Sequence, residues 1–498
     1  MNFEVQLLLN NALSHIQLKE FDKAHALLSK AMIISPREPD VLRLMSVNLA
    51  LQLRFNDALV LINDLIDITP NNGLAHSNRG NILKELGNYE EALIALNKAI
   101  DFSPHYAEAY SNKGNILQSL HRYEEALDCY DKAIELNPSY AEAYANKGNA
   151  YQNLGLYEEA LSWFHKSTEI NPNYIDGYWL KAMNQLPRGD FLAGWQNYEA
   201  RWFKADHVVM QFTDLIRLES LSDIEGKKIL VWSEQGLGDC IQFSRYIKLL
   251  SERGAQVTFL TEEVLLRTFA SLRDFCELRT FIEDRSKFDF QSPLLSLPLL
   301  FETTLDSIPA NIPYLSSDPE KRKEYSSQIK HDKNLNVGLI WNGGNKISWA
   351  VNGRRNIELE VIANLRGVTG VNFYSLQKGD PAQAELTLKK DYVWPEIIDC
   401  SPLLNDFSDT AALMDQMDLI ISVDTSSAHL AGALGKPVWI LNRYDSCWRW
   451  LMGREDSPWY PTAKIYQQKK PGDWSEVITR VRLDLANLAQ KSAPASKC

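Results

Sequence analysis

The sequence has no apolar run approaching the ~18 residues that a membrane-spanning helix requires. Its start, MNFEVQLLLNNAL, carries neither the basic stretch nor the small-residue cleavage site of a secretory leader. Cysteine is sparse: the six residues at 129, 240, 276, 400, 447 and 498 form no C-x-x-C pair, which argues against a zinc site or a disulfide framework. They read as reduced thiols, and a cytoplasmic location is the expectation. Positive charge is not in excess either. A formal net charge of −12 excludes a general binder of nucleic acid or of anionic membranes. What remains, at 45% hydrophobic and 23% charged residues, is the composition of a globular chain with ample core. Its length suits about three domains.

The first 200 residues are periodic. Prolines stand at 36, 70, 104, 138 and 172, a constant 34 residues apart. Between them runs a helix–turn–helix pattern, clearest from Ala107 to Tyr140 with Tyr110, Gly114, Leu117, Tyr123, Ala126, Tyr130, Ala133 and Pro138. Gly80, Tyr89, Ala92 and Ala99 repeat it, as do Gly148, Tyr157 and Ala160; Phe21, Ala24, Ala31, Phe55 and Ala58 keep the phase more weakly. The pattern resembles the tetratricopeptide repeat, whose period is 34. That resemblance implies an all-α superhelix over residues 2–202, with five repeats and a degenerate sixth that has Gly194 where alanine is expected. The concave face of such an array is a protein-binding surface. Asn78, Asn112 and Asn146 hold one position in three successive repeats, so their amides can bind the backbone of an extended peptide, or are simply usual residues at that position.

Residues 203–225 lose the phase and read as a linker. Ile229–Trp232 is then a strand, followed by the glycine turn Gly236-Leu237-Gly238-Asp239 and a helical stretch. Such a βα turn is where doubly wound folds place ligands. Asp239 has two readings: a cap on the helix, or a group placed to take a proton. Residues 226–330 contain no histidine, so a base in this region is a carboxylate, with Asp239 and Glu234 on the rim. Val257–Leu260 adds a second strand, and the short β–α–β spacing favours a parallel sheet.

Residues 334–490 repeat the style. The strand ending at Trp341 enters the polar turn Asn342-Gly343-Gly344-Asn345-Lys346, able to turn N–H groups toward phosphate. Arg354 and Arg355 follow as candidate phosphate clamps. Gln377 and Lys378 lie at the end of the Val371–Leu376 strand. Leu419–Val423 leads into Asp424-Thr425-Ser426-Ser427, an acid and three hydroxyls at a helix start, with His429 on the first turn. Asp473–Glu476 starts a last helix, and residues 491–498 read as a disordered tail.

Taken together, Gly-Leu-Gly-Asp239 and Asp424-Thr-Ser-Ser-Ala-His429-Leu-Ala-x-Ala-x-Gly-x-Pro437 resemble glycosyltransferase family 9, the heptosyltransferase-like group. With the array in front, and Trp448-Arg449-Trp450 and Ser457-Pro458-Trp459-Tyr460 behind, the chain is similar to bacterial tetratricopeptide glycosyltransferases. The resemblance implies an α + α/β chain: the superhelix, then a GT-B domain of two Rossmann-like halves. The first would be the acceptor side, the second the nucleotide-sugar side with a final helix crossing back. It implies Asp239 as the base, with Gly236 and Gly238 in its turn. Asn342, Gly343, Lys346, Arg355, Gln377, Lys378, Asp424, Thr425, Ser426, Ser427 and His429 fall to the donor, and Asn78, Asn112 and Asn146 to an acceptor protein. Asp-Thr-Ser replaces the Asp-Thr-Gly of heptosyltransferases, so a heptose donor is not implied; UDP-GlcNAc is not implied either. No Asp-x-Asp pair occurs in the chain, so the expected chemistry is metal-independent, with a nucleotide-sugar as substrate and no cofactor. A glycan or lipopolysaccharide acceptor, or a non-catalytic interaction scaffold, are the alternatives.

Overall fold

A computed structural model of the chain describes residues 3–204, 209–344 and 353–492. The chain divides into two compact units, Met1–Asn184 and Gln185–Cys498.

The first unit is a series of paired helices from Phe3–Gln17 to Ile175–Gln185. The 34-residue period has two local causes. The second helix of each pair stops at Ile34, Ile68, Phe102, Leu136 and Ile170, one residue before a capping Ser, Thr or Asn and two before the periodic proline, which disfavours helical backbone in the residue ahead of it. The turn inside each pair passes through left-handed backbone at Lys19, Leu53, Gly87, His121 and Gly155, again 34 apart. Within a pair, a small residue admits a large one. A β-carbon on Gly80 would meet Leu96 Cγ at 2.7 Å, and one on Gly114 or Gly148 would strike the rings of Tyr130 and Phe164. Ala92, Ala126 and Ala160 are fully buried on the opposing helices.

The second unit holds two parallel sheets. The first contains β1 (Lys228–Trp232), β2 (Gln256–Leu260), β3 (Cys276–Arg279) and β4 (Phe290–Pro293) in the order β3-β2-β1-β4. The second contains β5 (Leu335–Ile340), β6 (Val371–Ser375), β7 (Ile398–Asp399), β8 (Leu419–Val423), β9 (Val438–Asn442) and β10 (Ala463–Gln467), ordered β10-β9-β8-β5-β6-β7. Counted within its own half, that is 3-2-1-4-5-6 read from the other edge, the order of doubly wound nucleotide-binding sheets. Every strand pairing is parallel. Strand order reverses between β1 and β4 in the first sheet and between β5 and β8 in the second.

Three boundaries differ from the sequence reading. The degenerate sixth repeat is divided: the Phe191–Tyr198 helix belongs to the second unit. There Trp195 lies 5.3 Å from Trp448 and 6.2 Å from Phe243 between ring centroids, so this segment fills the space between the two halves with aromatic surface. The stretch expected as a linker is partly built into the first half, for Arg217 bridges to Gln291 and Phe212 packs with Trp232; residues 205–208 lie outside the described residues. The final helix, Trp474–Ser492, was expected to cross to the first half. It instead buries Trp474, Val477, Val481 and Leu485 in the core of the second, because its apolar stripe continues that of β5 and β8. Lys491 and Ser492 end this helix, and the rest of the expected tail lies outside the described residues. Among the described residues no helix is long and apolar enough to cross a membrane.

Candidate functional site

A cavity of about 270 Å³ opens where both sheets reverse their strand order. Gly236 to Asp239 come from the turn after β1, Gly344 follows β5, Asp424 to Ser426 follow β8, and Arg443, Cys447 and Arg449 follow β9. Arg355 and His429 complete the walls. Each half therefore presents the carboxyl ends of its strands to one space, the place where doubly wound sheets bind ligands.

Asp239 satisfies both readings of its position. Its Oδ2 accepts the Gly236 N–H at 3.1 Å, which is the cap. Its Oδ1 accepts Nε of Arg449 at 2.6 Å, and Nη2 of the same guanidinium closes on it as well. Oδ1, taking two guanidinium nitrogens, is filled and admits a hydroxyl only if Arg449 moves, while Oδ2 takes the single Gly236 N–H. Arg449 lies over the Trp448 ring, 4.2 Å from its centroid, with Nη1 3.0 Å from Cys447 Sγ. Burial opposes the charge of Arg449, but Asp239 and its other neighbours hold it well above the ordinary value. Backbone strain flanks the pair: Gln235 at φ 62° and Leu451 at φ 58° are left-handed without being glycine. The Gln235 side chain is fixed to the Tyr198 hydroxyl.

The other candidate base, Glu234, is removed from the cavity. The Arg201 guanidinium forks onto it at 3.0 and 3.1 Å and Leu295 donates its N–H, all in full burial. Burial pushes the Glu234 carboxyl up while this fork pulls it back. The pair joins the 191–203 segment to the first half.

Across the cavity, Thr425 caps the Ser426–Ala433 helix by accepting the Ser427 N–H at 3.0 Å. Asp424 accepts the Trp450 indole N–H on Oδ1 at 2.8 Å, and its carbonyl accepts Arg355 Nη1 at 3.1 Å. Arg355 is only 7% exposed; its Nη2 reaches the Gly344 carbonyl at 3.3 Å, and its Nε has no partner among the described residues. Gly343 leaves room for this placement, since a β-carbon there would meet the Arg355 guanidinium and make it shift. Of the two sequence candidates, Arg354 turns outward to Asp445, so Arg355 is the inner one. His429 donates to or accepts from the Tyr460 hydroxyl at 3.0 Å and stacks on Trp450 with centroids 4.7 Å apart. Burial, then Arg449 and Arg245, hold its imidazole well below the usual range, so it is neutral.

Five expected donor residues, Asn342, Gly343, Gln377, Lys378 and Ser427, do not line the cavity. Gln377 accepts the N–H groups of Trp341 and Asn342 at 3.1 and 3.0 Å and so holds the turn after β5. Asn342 is buried beside it, with Oδ1 unpartnered among the described residues. The Lys378 ammonium is drawn to the Leu404 carbonyl. Ser427 serves the helix cap through its N–H. Lys346 lies outside the described residues. Conversely, Arg443, Cys447 and Arg449 line the cavity without having been singled out as site residues. In the sequence Arg449 is marked only within Trp448-Arg449-Trp450, and the one signal of Arg443 and Cys447 is position, shortly after an apolar strand.

In the first unit, Asn112 donates to Ser77 at 3.3 Å and Asn146 to Ser111 at 3.1 Å. These amides therefore tie successive repeats together, each with one of its two N–H groups.

Comparison with known proteins bears chiefly on that unit. Residues 107–140 and 141–174 match the tetratricopeptide repeat model, and residues 80–121 match a second TPR repeat model. The N-terminal helical array is thus built of tetratricopeptide repeats, a protein-interaction scaffold. Protein FlbA of Caulobacter vibrioides is 27% identical over 320 residues, 59% of this chain; the chain spans about half of that relative, 52% of its length. Among solved structures, the thermophilic TPR protein TTC0263 of Thermus thermophilus is 22% identical, covering 36% of this chain and 99% of its own, at a TM-score of 0.35. YrrB, a TPR protein with an unusual peptide-binding site, is also 22% identical, covering 35% of this chain and 90% of its own, at a TM-score of 0.28.

Proposed function

We propose that the chain is a glycosyltransferase of GT-B arrangement, moving a sugar from a nucleotide-sugar to an acceptor, with the repeat array receiving a protein acceptor. The observation that carries this reading is the cavity at two facing strand-order reversals, lined by three guanidiniums and a helix N-terminus. In this reading the donor diphosphate rests against Arg355 and the N–H groups at Thr425 and Ser426, which meet the charge that grows on the leaving group. The acceptor oxygen attacks the anomeric carbon, the bond to the diphosphate breaks, and the hydroxyl proton passes to Asp239. A glycan or lipopolysaccharide acceptor fits the same cleft.

Hydrolysis and transfer with a panel of UDP-, GDP-, ADP-, CMP- and dTDP-sugars tests the reading. Turnover with one of them, lost by about 10²–10⁴ in Asp239→Asn while donor binding remains, is the expected result. If none of the panel binds, the reading fails in favour of a second one, an interaction scaffold whose α/β part is inactive. One observation favours that alternative: the Arg449 guanidinium already fills Oδ1 of Asp239.

A further inference from the structure

Two features of the cavity have no task in that reading: Arg449 is spent on Asp239, and Arg443 serves no step. We propose that Arg449 is a clasp that exchanges partners. It holds Asp239 while the cleft is empty and moves to the diphosphate of a bound donor, freeing Asp239 Oδ1 for the acceptor hydroxyl. The proposal rests on the diphosphate reading of the cleft and adds an order to it, donor first and proton acceptor second.

The geometry suits an exchange more than a fixed tie. Arg449 is pinned along one face by Trp448 and makes its other contact to a thiol sulfur, a weak acceptor easily given up for a phosphoryl oxygen. Opposite it, the buried Nε of Arg355 and Nη1 of Arg443 lack hydrogen-bond partners among the described residues. Buried charged donors without acceptors call for an anion. The count of charges agrees. Three guanidiniums face the carboxylates of Asp239 and Asp424, the second of which is already engaged by the Trp450 indole. Asp445, 3.4 Å from Arg443 Nε, is not among the lining residues and is shared with Arg354. An entering diphosphate competes with Asp239 for the Arg449 guanidinium. Asp239 then acts on the anion through Arg449, so its removal matters only while Arg449 is present, whereas a fixed ion pair would repel and attract the anion independently.

Inorganic pyrophosphate, which carries the charge without sugar or base, is the probe. Titration calorimetry on the full chain compares wild type, Asp239→Asn, Arg449→Ala and Arg449→Lys. Asp239→Asn is expected to tighten pyrophosphate by about tenfold and Arg449→Ala to weaken it by about tenfold, the scale of one charge-assisted hydrogen bond. Arg449→Lys, which keeps the cation and guards against a folding defect in the alanine variant, is expected between wild type and Arg449→Ala. In the Arg449→Ala background, Asp239→Asn is expected to leave pyrophosphate affinity nearly unchanged; the clasp is overturned if it still tightens binding about tenfold there, if either single variant fails to shift affinity in its stated direction, or if wild type does not bind pyrophosphate. The expected shifts with no turnover on any nucleotide-sugar would keep the clasp and remove the transferase; turnover with an affinity blind to Asp239 would do the reverse.

Discussion

A β-carbon on Gly238 would stand 2.9 Å from Cδ2 of His429 and 3.3 Å from Cα of Ser426. The glycine turn of the first half thus rests directly on the helix start of the second, and its missing side chain lets the halves close. Gly238→Ala is expected to cost about 1–3 kcal/mol, the usual penalty for overpacking. Denaturation followed by tryptophan fluorescence measures it; an unchanged midpoint would show that the halves yield freely here.

His429 gives the second unit a pH dependence whose sign is fixed. Burial, then Arg449 and Arg245, keep its imidazole well below 6.5, its ordinary value, in the folded chain. The unfolded chain therefore binds the extra proton. Stability is present above the unfolded value and is lost as pH falls through it, by at most about 1.4 kcal/mol per pH unit. His429→Gln is expected to remove this part of the slope while keeping a partner for Tyr460. Melting temperatures of both proteins from about pH 8 to about pH 5, spanning the histidine range, test it. Parallel curves would contradict the assignment.

Arg201 and Glu234 are both buried, so losing one partner strands the other. Arg201→Met alone is expected to cost about 3–5 kcal/mol. Adding Glu234→Gln is expected to restore much of that, since the stranded charge is gone. Chemical denaturation of the single and double variants reads the difference. If the double variant is no better than the single one, the fork serves packing rather than charge.

The left-handed turn position of the array offers a change in the other direction. Leu53 occupies it at φ 62° and is 75% exposed, whereas Gly87 and Gly155 occupy its equivalents. Leu53→Gly relieves the steric cost of that backbone and is expected to stabilise the first unit by up to about 1 kcal/mol, after the entropy of glycine is counted. A melting temperature that falls instead would mean the Leu53 side chain contributes more than the strain removes.

The array was legible because its constraints are local: a proline ends a helix and a glycine admits a neighbour wherever they occur. The strands β1, β2, β5, β6 and β8 were legible as apolar runs before polar turns. The strand β3, reading Cys-Glu-Leu-Arg, was not, because an edge strand of four residues shows only one fully buried position. The cavity was half legible. Asp239, Arg355 and the Asp424–Ser426 turn follow strands that periodicity reveals. Arg449 was recorded only within a motif, since nothing local tells that it meets a carboxylate 210 positions earlier. Gln377 and Lys378 carry groups suited to a ligand, but the fold spends them on its own backbone. Sequence shows which groups are available; it does not show which ones the fold has already used.

All residues that wall the cavity lie beyond the ends of strands, in loops and first helical turns, and none is in a strand. The two sheets could therefore persist through many generations of change in their loops. One set of loops can alter what the first sheet presents without touching what the second presents. A lineage built on this framework can change what each half presents to the cavity in separate steps, each leaving the other intact.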